Sequence, residues 1–315
     1  MSWRFIAVRC ARLVVTLLVS SFVIFSSLYL SPGNPIATLS GGKSLSPQAV
    51  ATLEQRFHLN DPFLTRYVKW LGGVLHGDFG ISIALRSEVS SLIAARIWTT
   101  LALVGYASLL ILVIGIGLGL LGGLKTGWVD TGVLAVTAIS AAIPAFVMAI
   151  SLLMLFVATL EWFPGFGDGD GFLDTLWHLT LPAIALAVSS LAIVARITRS
   201  AIRAELNSEH VVTAVSRGIR RSAIVRRHVL RNAAIPIMTV SGVTIASMFA
   251  VSAVVERAFT INGLGAYLVK AATSKDFAVV QGISLVIVAV FVVINTLVDV
   301  LYAVLDPRSR RGGTR

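Results

Sequence analysis

The side chains with the clearest capacity for chemistry lie in a basic segment between Arg196 and Pro236. The segment contains nine arginines and only two acids, Glu205 and Glu209. It connects two long uncharged runs, so it is a polar segment within an otherwise apolar sequence. We interpret it as a docking loop that faces the cytosol, because basic loops are retained on that side of a membrane.

No sequence pattern for nucleotide hydrolysis or metal catalysis accompanies this segment. The nearest match to a phosphate-binding loop, Gly42-Lys43-Ser44, has Ala37 where the first glycine is required, and Lys125-Thr126 follows Leu124 instead of glycine. The acidic stretch Asp168-Gly169-Asp170-Gly171 lacks the remaining ligands of a calcium loop. We therefore predict that this chain binds no metal and no cofactor, and that its energy source is another polypeptide.

The basic segment has the internal order helix, glycine, helix. Ser208 is expected to cap the first helix, and Glu209 suits the positive end of its dipole. Gly218 can adopt the left-handed conformation that ends this helix, and Ser222 is expected to cap the next one. The apolar stripe of the first helix is predicted to consist of Val211, Val212 and Val215. The pattern therefore predicts a short helical knob with a basic rim.

Two other interpretations of the basic segment remain open. Ala214, Gly218 and Ile224 also fit the spacing of a DNA-reading helix-turn-helix. The segment is tethered at both ends to apolar runs and lacks a hydrophobic core of its own, which argues against a nucleic-acid partner. A solvated basic loop without a binding partner would satisfy the charge pattern equally well.

The composition places the rest of the chain in a lipid bilayer. Hydrophobic residues make up 56% of the sequence and charged residues 13%, which is far from the balance of a soluble domain. The uncharged or nearly uncharged runs that are long enough to span a bilayer are Leu13–Leu30, Ile97–Leu124, Thr131–Leu160, Thr175–Ala195, Asn232–Val255 and Phe277–Val298. We predict an all-α, multi-pass membrane protein with six transmembrane helices.

The distribution of charge orients these spans. If the N-terminus is cytosolic, so is the C-terminus, and the inner segments carry the excess of basic residues while the outer segments are close to neutral. Arg4, Arg9 and Arg12 before the first apolar run could also belong to a cleaved signal peptide. No small-residue cleavage site follows the run, so a retained first helix is favoured.

Residues 31–96 form the one long polar segment on the outer side, and we predict an extracytoplasmic helical insertion there. Ser46-Pro47 and Asp61-Pro62 each read as a cap followed by a proline in the first helical turn. An apolar stripe that needs a partner surface follows the second of these signals and consists of Phe63, Leu64, Tyr67, Val68, Leu71 and Leu75.

Small, kinked and ionisable positions mark further candidate sites within the spans. Gly115, Gly119 and Gly123 recur every four residues and predict a close-packing seam with a helix of this chain or of another. Pro144 is expected to kink the third span, either along a translocation path or as an ordinary packing feature. Asp299, near the inner end of the last span, is a functional candidate or a capping residue.

The basic segment resembles the cytoplasmic EAA loop of permease subunits of ATP-binding-cassette (ABC) importers. Arg227-His228-Val229-Leu230-Arg231-Asn232-Ala233-Ala234-Ile235-Pro236 follows the pattern Arg-His-x-Leu-Arg-Asn-Ala-x-x-Pro of the dipeptide and oligopeptide branch. Glu209 to Gly218 resembles the preceding half of that loop, with departures at His210, Val215 and Ser216. Further similar blocks are Pro32-Gly33-Asn34-Pro35, Gly77-Asp78-Phe79-Gly80-Ile81-Ser82, Ile143-Pro144-Ala145-Phe146, Val255-Glu256, Gly263-Leu264-Gly265 and Leu305-Asp306-Pro307-Arg308.

This resemblance implies a single permease domain over residues 1–315 with the type I importer fold, and a coupling loop at 199–231. It implies a bacterial or archaeal plasma membrane and, as partners, a second homologous permease, two cytoplasmic ATPases that hold ATP and Mg²⁺, and an extracytoplasmic substrate-binding protein. Nickel, glutathione or opines are the alternative cargo within the family. An ion-driven transporter or a membrane scaffold is the more remote alternative.

Site residues follow from the same resemblance. The residues expected to couple to the ATPase are Glu209, Ala214, Arg217, Gly218, His228, Arg231 and Asn232. Those expected along the translocation path or its gate are Pro144, Phe146 and Asp299. No catalytic residue is expected.

Overall fold

The computed structural model describes residues 3–29, 48 and 61–305, and most of these residues are helical. The helices are α1 (Trp3–Tyr29), α2 (Phe63–Leu75), α3 (Val89–Leu124), α4 (Trp128–Ala142), α5 (Ala145–Thr159), α6 (Phe172–Leu206), α7 (Glu209–Ser216), α8 (Arg221–Ala258), α9 (Leu264–Thr273) and α10 (Phe277–Leu305). Short π-helical segments interrupt α3, α5 and α8. The all-α prediction is confirmed for this part of the chain, whereas the helix expected after Ser46-Pro47 lies outside the described residues.

The membrane spans are five continuous helices and one broken pair. In the described residues α1, α3, α6, α8 and α10 are each long and apolar enough to cross a bilayer. α4 and α5 together supply a sixth span but bend by 95° at their junction. The count of six therefore agrees with the sequence if the bent pair crosses once.

Pro144 causes the break in the third predicted span. The kink expected at this proline within the run Thr131–Leu160 is a complete break, because α4 ends at Ala142 and Ile143 adopts an extended conformation. Proline has no backbone N–H to donate and disfavours a helical residue before it. A helix restarts immediately after Pro144, whose carbonyl oxygen accepts a hydrogen bond from Met148 N at 3.1 Å.

α6 lies at the centre of the bundle and is the most buried of the spans. It contacts α3, α4 and α8 along its length, and it contributes residues such as Leu186 and Val194 to the main apolar core. The uncharged run predicted to span ends at Ala195, and the helix continues beyond it to Leu206. Residues 199–206 of the predicted coupling loop are thus the last turns of α6.

The glycine seam of α3 faces α6 of the same chain. Gly115 lies against Val194, Gly119 against Thr198, and Gly123 against Ile202. A Cβ atom at Gly123 would stand 2.7 Å from Ile202, and one at Gly119 would overlap Thr198. Only glycine permits this backbone approach.

Candidate functional site

The connection between α6 and α8, residues 207–220, forms the helical knob that carries four of the seven expected coupling residues. We call it the α7 loop. Gly218 ends α7 with a φ of +73°, and no heavy atom lies within 4 Å of the position a Cβ would occupy. Gly218 N donates to Val215 O at 2.9 Å and Ile219 N to Ala214 O at 3.2 Å, which closes the helix end. The need for glycine here is therefore conformational and not steric.

Val211 and Ala214 attach the α7 loop to the membrane helices. Both are buried, in a cluster with Ile202 of α6 and with Ile224 and Val229 of α8. This small apolar core was not expected from the sequence. It fixes α7 to the ends of α6 and α8.

Three local expectations for the α7 loop were wrong. Val212 and Val215 are each 61% exposed and form no part of the buried stripe, because α7 approaches the bundle through the face that carries the small Ala214. Ser208 occupies the cap position, but its hydroxyl donates to Glu205 O at 2.6 Å instead of accepting from the helix. The next helix begins at Arg221, one residue before the expected cap Ser222.

A polar cluster beside the α7 loop brings two expected coupling residues together. Asn232 Nδ2 donates to Glu205 Oε2 at 3.1 Å, and His210 Nε2 lies 3.3 Å from the same oxygen. The His228 ring lies 6.3 Å from the His210 ring. Glu205 and His210 were not singled out as site residues. An acid at the end of an apolar helix was the available signal, since such a group needs a polar partner.

The arginines of the basic segment divide into two sets. Arg199 and Arg203 of α6 both bind Asp130 of α4, with nitrogen–oxygen distances of 2.5 and 2.7 Å. Arg196 donates to the carbonyl oxygen of Thr137 at 3.3 Å. The prediction of one nine-arginine docking surface is thus wrong for these three, which hold α4 against α6. The exposed set consists of Arg217, Arg220, Arg221, Arg226, Arg227 and Arg231.

The remaining expected site residues lie apart from one another. Glu209 is exposed at the start of α7. Pro144 is at the 95° bend, and Phe146, two residues later, is 50% exposed. Asp299 belongs to α10, and its side chain lies outside the described residues.

Glu256 is a buried carboxylate that sequence reasoning left without a role. It accepts hydrogen bonds from Thr100 Oγ1 and from Ala266 N, both at 2.8 Å, and from Ser252 Oγ at 3.3 Å. Thr100 Oγ1 in turn accepts from Leu264 N at 2.8 Å. These bonds join α3, α8 and α9, and the side chain is fully enclosed.

Asp276 forms a second buried polar centre, between α9 and α10. It accepts from Ser82 Oγ at 2.5 Å, Ala84 N at 3.1 Å and Ile83 N at 3.3 Å. The turn before α3 is thereby fixed to the C-terminal part of the chain. Ser82 belongs to the Gly-Asp-x-Gly-x-Ser block, and this bond gives that serine a structural function.

Acidic side chains in and next to the α5–α6 loop bind to the protein itself. Asp168 accepts from Thr99 Oγ1 at 3.2 Å, and Asp174 accepts from Asp170 N at 2.8 Å. In the part of the chain that the structure describes, no group of three His, Cys, Asp or Glu side chains is arranged to hold a metal ion.

Comparison with known proteins assigns the chain to a family. Residues 112–311 match the model of the binding-protein-dependent transport system inner membrane component, and residues 2–104 match the model of its N-terminal part. A putative peptide transport system permease protein of Brucella abortus is 35% identical over 96% of this chain and 97% of its own length. The oligopeptide transport system permease protein OppB of Salmonella typhimurium is 34% identical over 98% and 99%.

A likeness to solved structures supports the same fold. Inward-facing structures of the MetNI methionine ABC transporter superpose on 68% of this chain and 96% of theirs, with a TM-score of 0.54 in one crystal form and 18% identity. The apolar spans and the family match together make this a multi-pass inner-membrane protein. The chain belongs to the family of binding-protein-dependent transport system inner membrane components, the permease subunits of ABC importers.

Proposed function

We propose that this chain is a permease subunit of an ATP-driven importer of di- or oligopeptides. The relatives that match over nearly the whole chain are named as peptide and oligopeptide permeases, which supports peptide cargo. Nickel, glutathione or opines remain the alternative within the family. Uptake of labelled peptides by cells with and without the gene distinguishes these cargoes, and dependence of uptake on ATP separates an importer from an ion-driven transporter or a scaffold.

The α7 loop is the proposed contact with a cytoplasmic ATPase, and its geometry is the observation that carries this proposal. Val212 and Val215 form an exposed apolar ridge, while Val211 and Ala214 on the adjoining face are fixed to α6 and α8. A groove on the ATPase would receive the ridge. Closure of two ATPases around ATP and Mg²⁺ would then move the ends of both spans together.

The remaining partners are proposed from the family match. A second, homologous permease would complete the translocation path, and an extracytoplasmic binding protein would deliver the peptide. Both termini of the chain would lie in the cytosol, on the side of the exposed arginines. The chain itself would bind no nucleotide and perform no catalysis.

Gly218→Val tests the coupling contact. A β-branched residue at φ +73° costs about 1–2 kcal/mol of local backbone energy, so we expect α7 to change its orientation while the spans still insert. Co-purification of the ATPase subunits should fall, with membrane insertion unchanged. Gly132→Val in α4 is the matched control, since Gly132 also has no heavy atom near its Cβ position and lacks a positive φ. Unchanged co-purification for Gly218→Val contradicts the proposal.

A further inference from the structure

We infer that α2 is an interfacial helix that lies within one leaflet of the membrane alongside α1, with its free apolar face covered by lipid. The sequence places this helix in a polar insertion between two spans. Its contacts with α1 place it at a depth where water is absent. This inference concerns a lipid-facing surface and is independent of the coupling contact and of the cargo.

The depth of α2 follows from the part of α1 that it contacts. By length and hydropathy, the candidate span of α1 among the described residues is Ala7–Ser27, with its midpoint near residue 17, whereas the uncharged run Leu13–Leu30 has its midpoint near residue 22. Ser21 Oγ lies 2.9 Å from Tyr67 Oη of α2. At a rise of ~1.5 Å per residue, Ser21 is about 6 Å from the midplane of the first stretch and closer still to that of the second. The hydrocarbon half-thickness is ~15 Å, so this hydrogen bond forms inside the apolar layer.

Aromatic rings extend the contact along the same part of α1. Phe22 lies 5.8 Å from Phe63 and 5.3 Å from Tyr67, between ring centroids. Phe25 lies 5.5 Å from Trp70. Phe25 is about 12 Å from the midplane by the same measure. The contact face of α2 therefore sits between the midplane and the headgroup region.

Besides its contact face, α2 has one exposed apolar stripe and one exposed polar stripe. Leu64, Val68 and Leu75 are exposed and recur at i, i+4 and i+11, which places them on one stripe. Thr65, Lys69 and His76 are also exposed and form a parallel stripe one residue later. A helix with one apolar and one polar exposed stripe lies in the plane of the interface, with the polar stripe toward the headgroups.

Lipid is the occupant that the surroundings of the apolar stripe favour. The neighbouring surface of α1 is itself apolar and open, and the spanning part of α1 is the least buried of the spans. Val19 and Val23 of α1 are 58% and 57% exposed. α2 packs on Phe22 of α1, which is itself 41% exposed, beside this open apolar surface. Lys69 binds Asp61 at 2.7 Å, and its long side chain can reach the headgroups from this depth.

Site-directed labelling of the full chain in lipid nanodiscs tests the inference. The native Cys10 is first replaced by serine, and single cysteines are introduced as Val68→Cys and, as the adjacent control on the polar stripe, Lys69→Cys. A water-soluble maleimide should label Val68→Cys on the order of tenfold more slowly, because thiolate forms poorly where water is excluded. A fluorophore at position 68 should be quenched by lipids brominated in their acyl chains, and one at position 69 much less.

Two results would overturn the inference. Equal labelling rates at 68 and 69 would place the apolar stripe in water. Slow labelling at 68 without quenching by brominated lipids would mean that protein covers the stripe, either a second permease or another copy of this chain. Leu64→Cys lies on the same stripe and replaces Val68→Cys if that variant does not fold.

Discussion

The α7 loop and the buried Glu256 centre (Glu256 with Thr100, Ser252 and Ala266) both contain polar groups. They differ in whether those groups find hydrogen-bond partners within the chain. Glu256 has no exposed surface and accepts bonds from three donors on three helices. The α7 loop and the start of α8 carry Arg217, Arg220 and Arg221 in solvent, where none forms an ion pair with a described residue.

The difference separates groups that hold the fold from groups that are open to a partner. A buried carboxylate is tolerated only when donors from the same chain satisfy it, so the Glu256 centre is complete without another subunit. Exposed guanidinium groups retain their hydrogen-bonding capacity for carboxylates or phosphates of another molecule. Substitutions at the Glu256 centre should reduce the stability of the fold. Substitutions of the exposed arginines should weaken only the association with a partner.

Glu256→Ala should have the largest effect on stability. It leaves the Thr100 hydroxyl and the Ala266 amide without their buried acceptor, at a cost of about 2–4 kcal/mol for two unsatisfied donors. Thermal unfolding of the purified protein in lipid nanodiscs measures this loss. Glu161→Ala, at an exposed outer-loop glutamate, is the control. Equal melting temperatures for both variants would remove the distinction between the two regions.

Gly123→Ala should have an intermediate effect and should affect both stability and association. The added methyl carbon would lie 2.7 Å from side-chain carbons of Ile202. The shifts needed to accommodate it should lower the free energy of unfolding by about 1–3 kcal/mol. Ile202 also belongs to the apolar cluster beneath the α7 loop, so ATPase association should fall together with the melting temperature.

Gly117→Ala in the same helix is the matched control for this seam. No heavy atom lies within 4 Å of the Cβ position at Gly117, so this substitution should leave both measurements unchanged. A similar destabilisation by both alanines would show that helix propensity or lipid contact, and not the contact with Ile202, sets the effect.

Arg217→Glu should have the smallest effect, confined to association. Arg217 is exposed at the end of α7, and exposed ion pairs contribute ~0.2–1 kcal/mol. ATPase binding should weaken at low salt and approach the unmodified value at high salt, with the melting temperature unchanged. Lys125→Glu makes the same charge change in the α3–α4 turn, and an equal loss there would indicate a general charge effect.

The positions with one dominant physical constraint could be predicted from the sequence. Gly218 was expected in a left-handed conformation, and its φ is +73°. Pro144 was expected to weaken the third span, and the helix breaks there. In each case the residue type alone restricts the backbone, so no knowledge of neighbours was needed.

The buried polar pairs could not be predicted, because each joins distant parts of the chain. Thr100 and Glu256 are separated by 156 residues, and Ser82 and Asp276 by 194. A carboxylate in an apolar context indicates that a partner is needed, but it does not identify which donor the fold brings near. Ser82 and Glu256 were recognised only as members of similar sequence blocks.

The sequence by itself determined which runs enter the membrane and where the chain must turn, since hydropathy, glycine and proline act locally. Only the tertiary structure decided which apolar faces pack within the chain and which stay open to lipid or to another subunit. Val211 is buried while Val212 and Val215 are exposed, and one face of α2 contacts α1 while the next remains open. Lipid chains are as apolar as the side chains, so hydrophobicity alone does not distinguish the two surroundings.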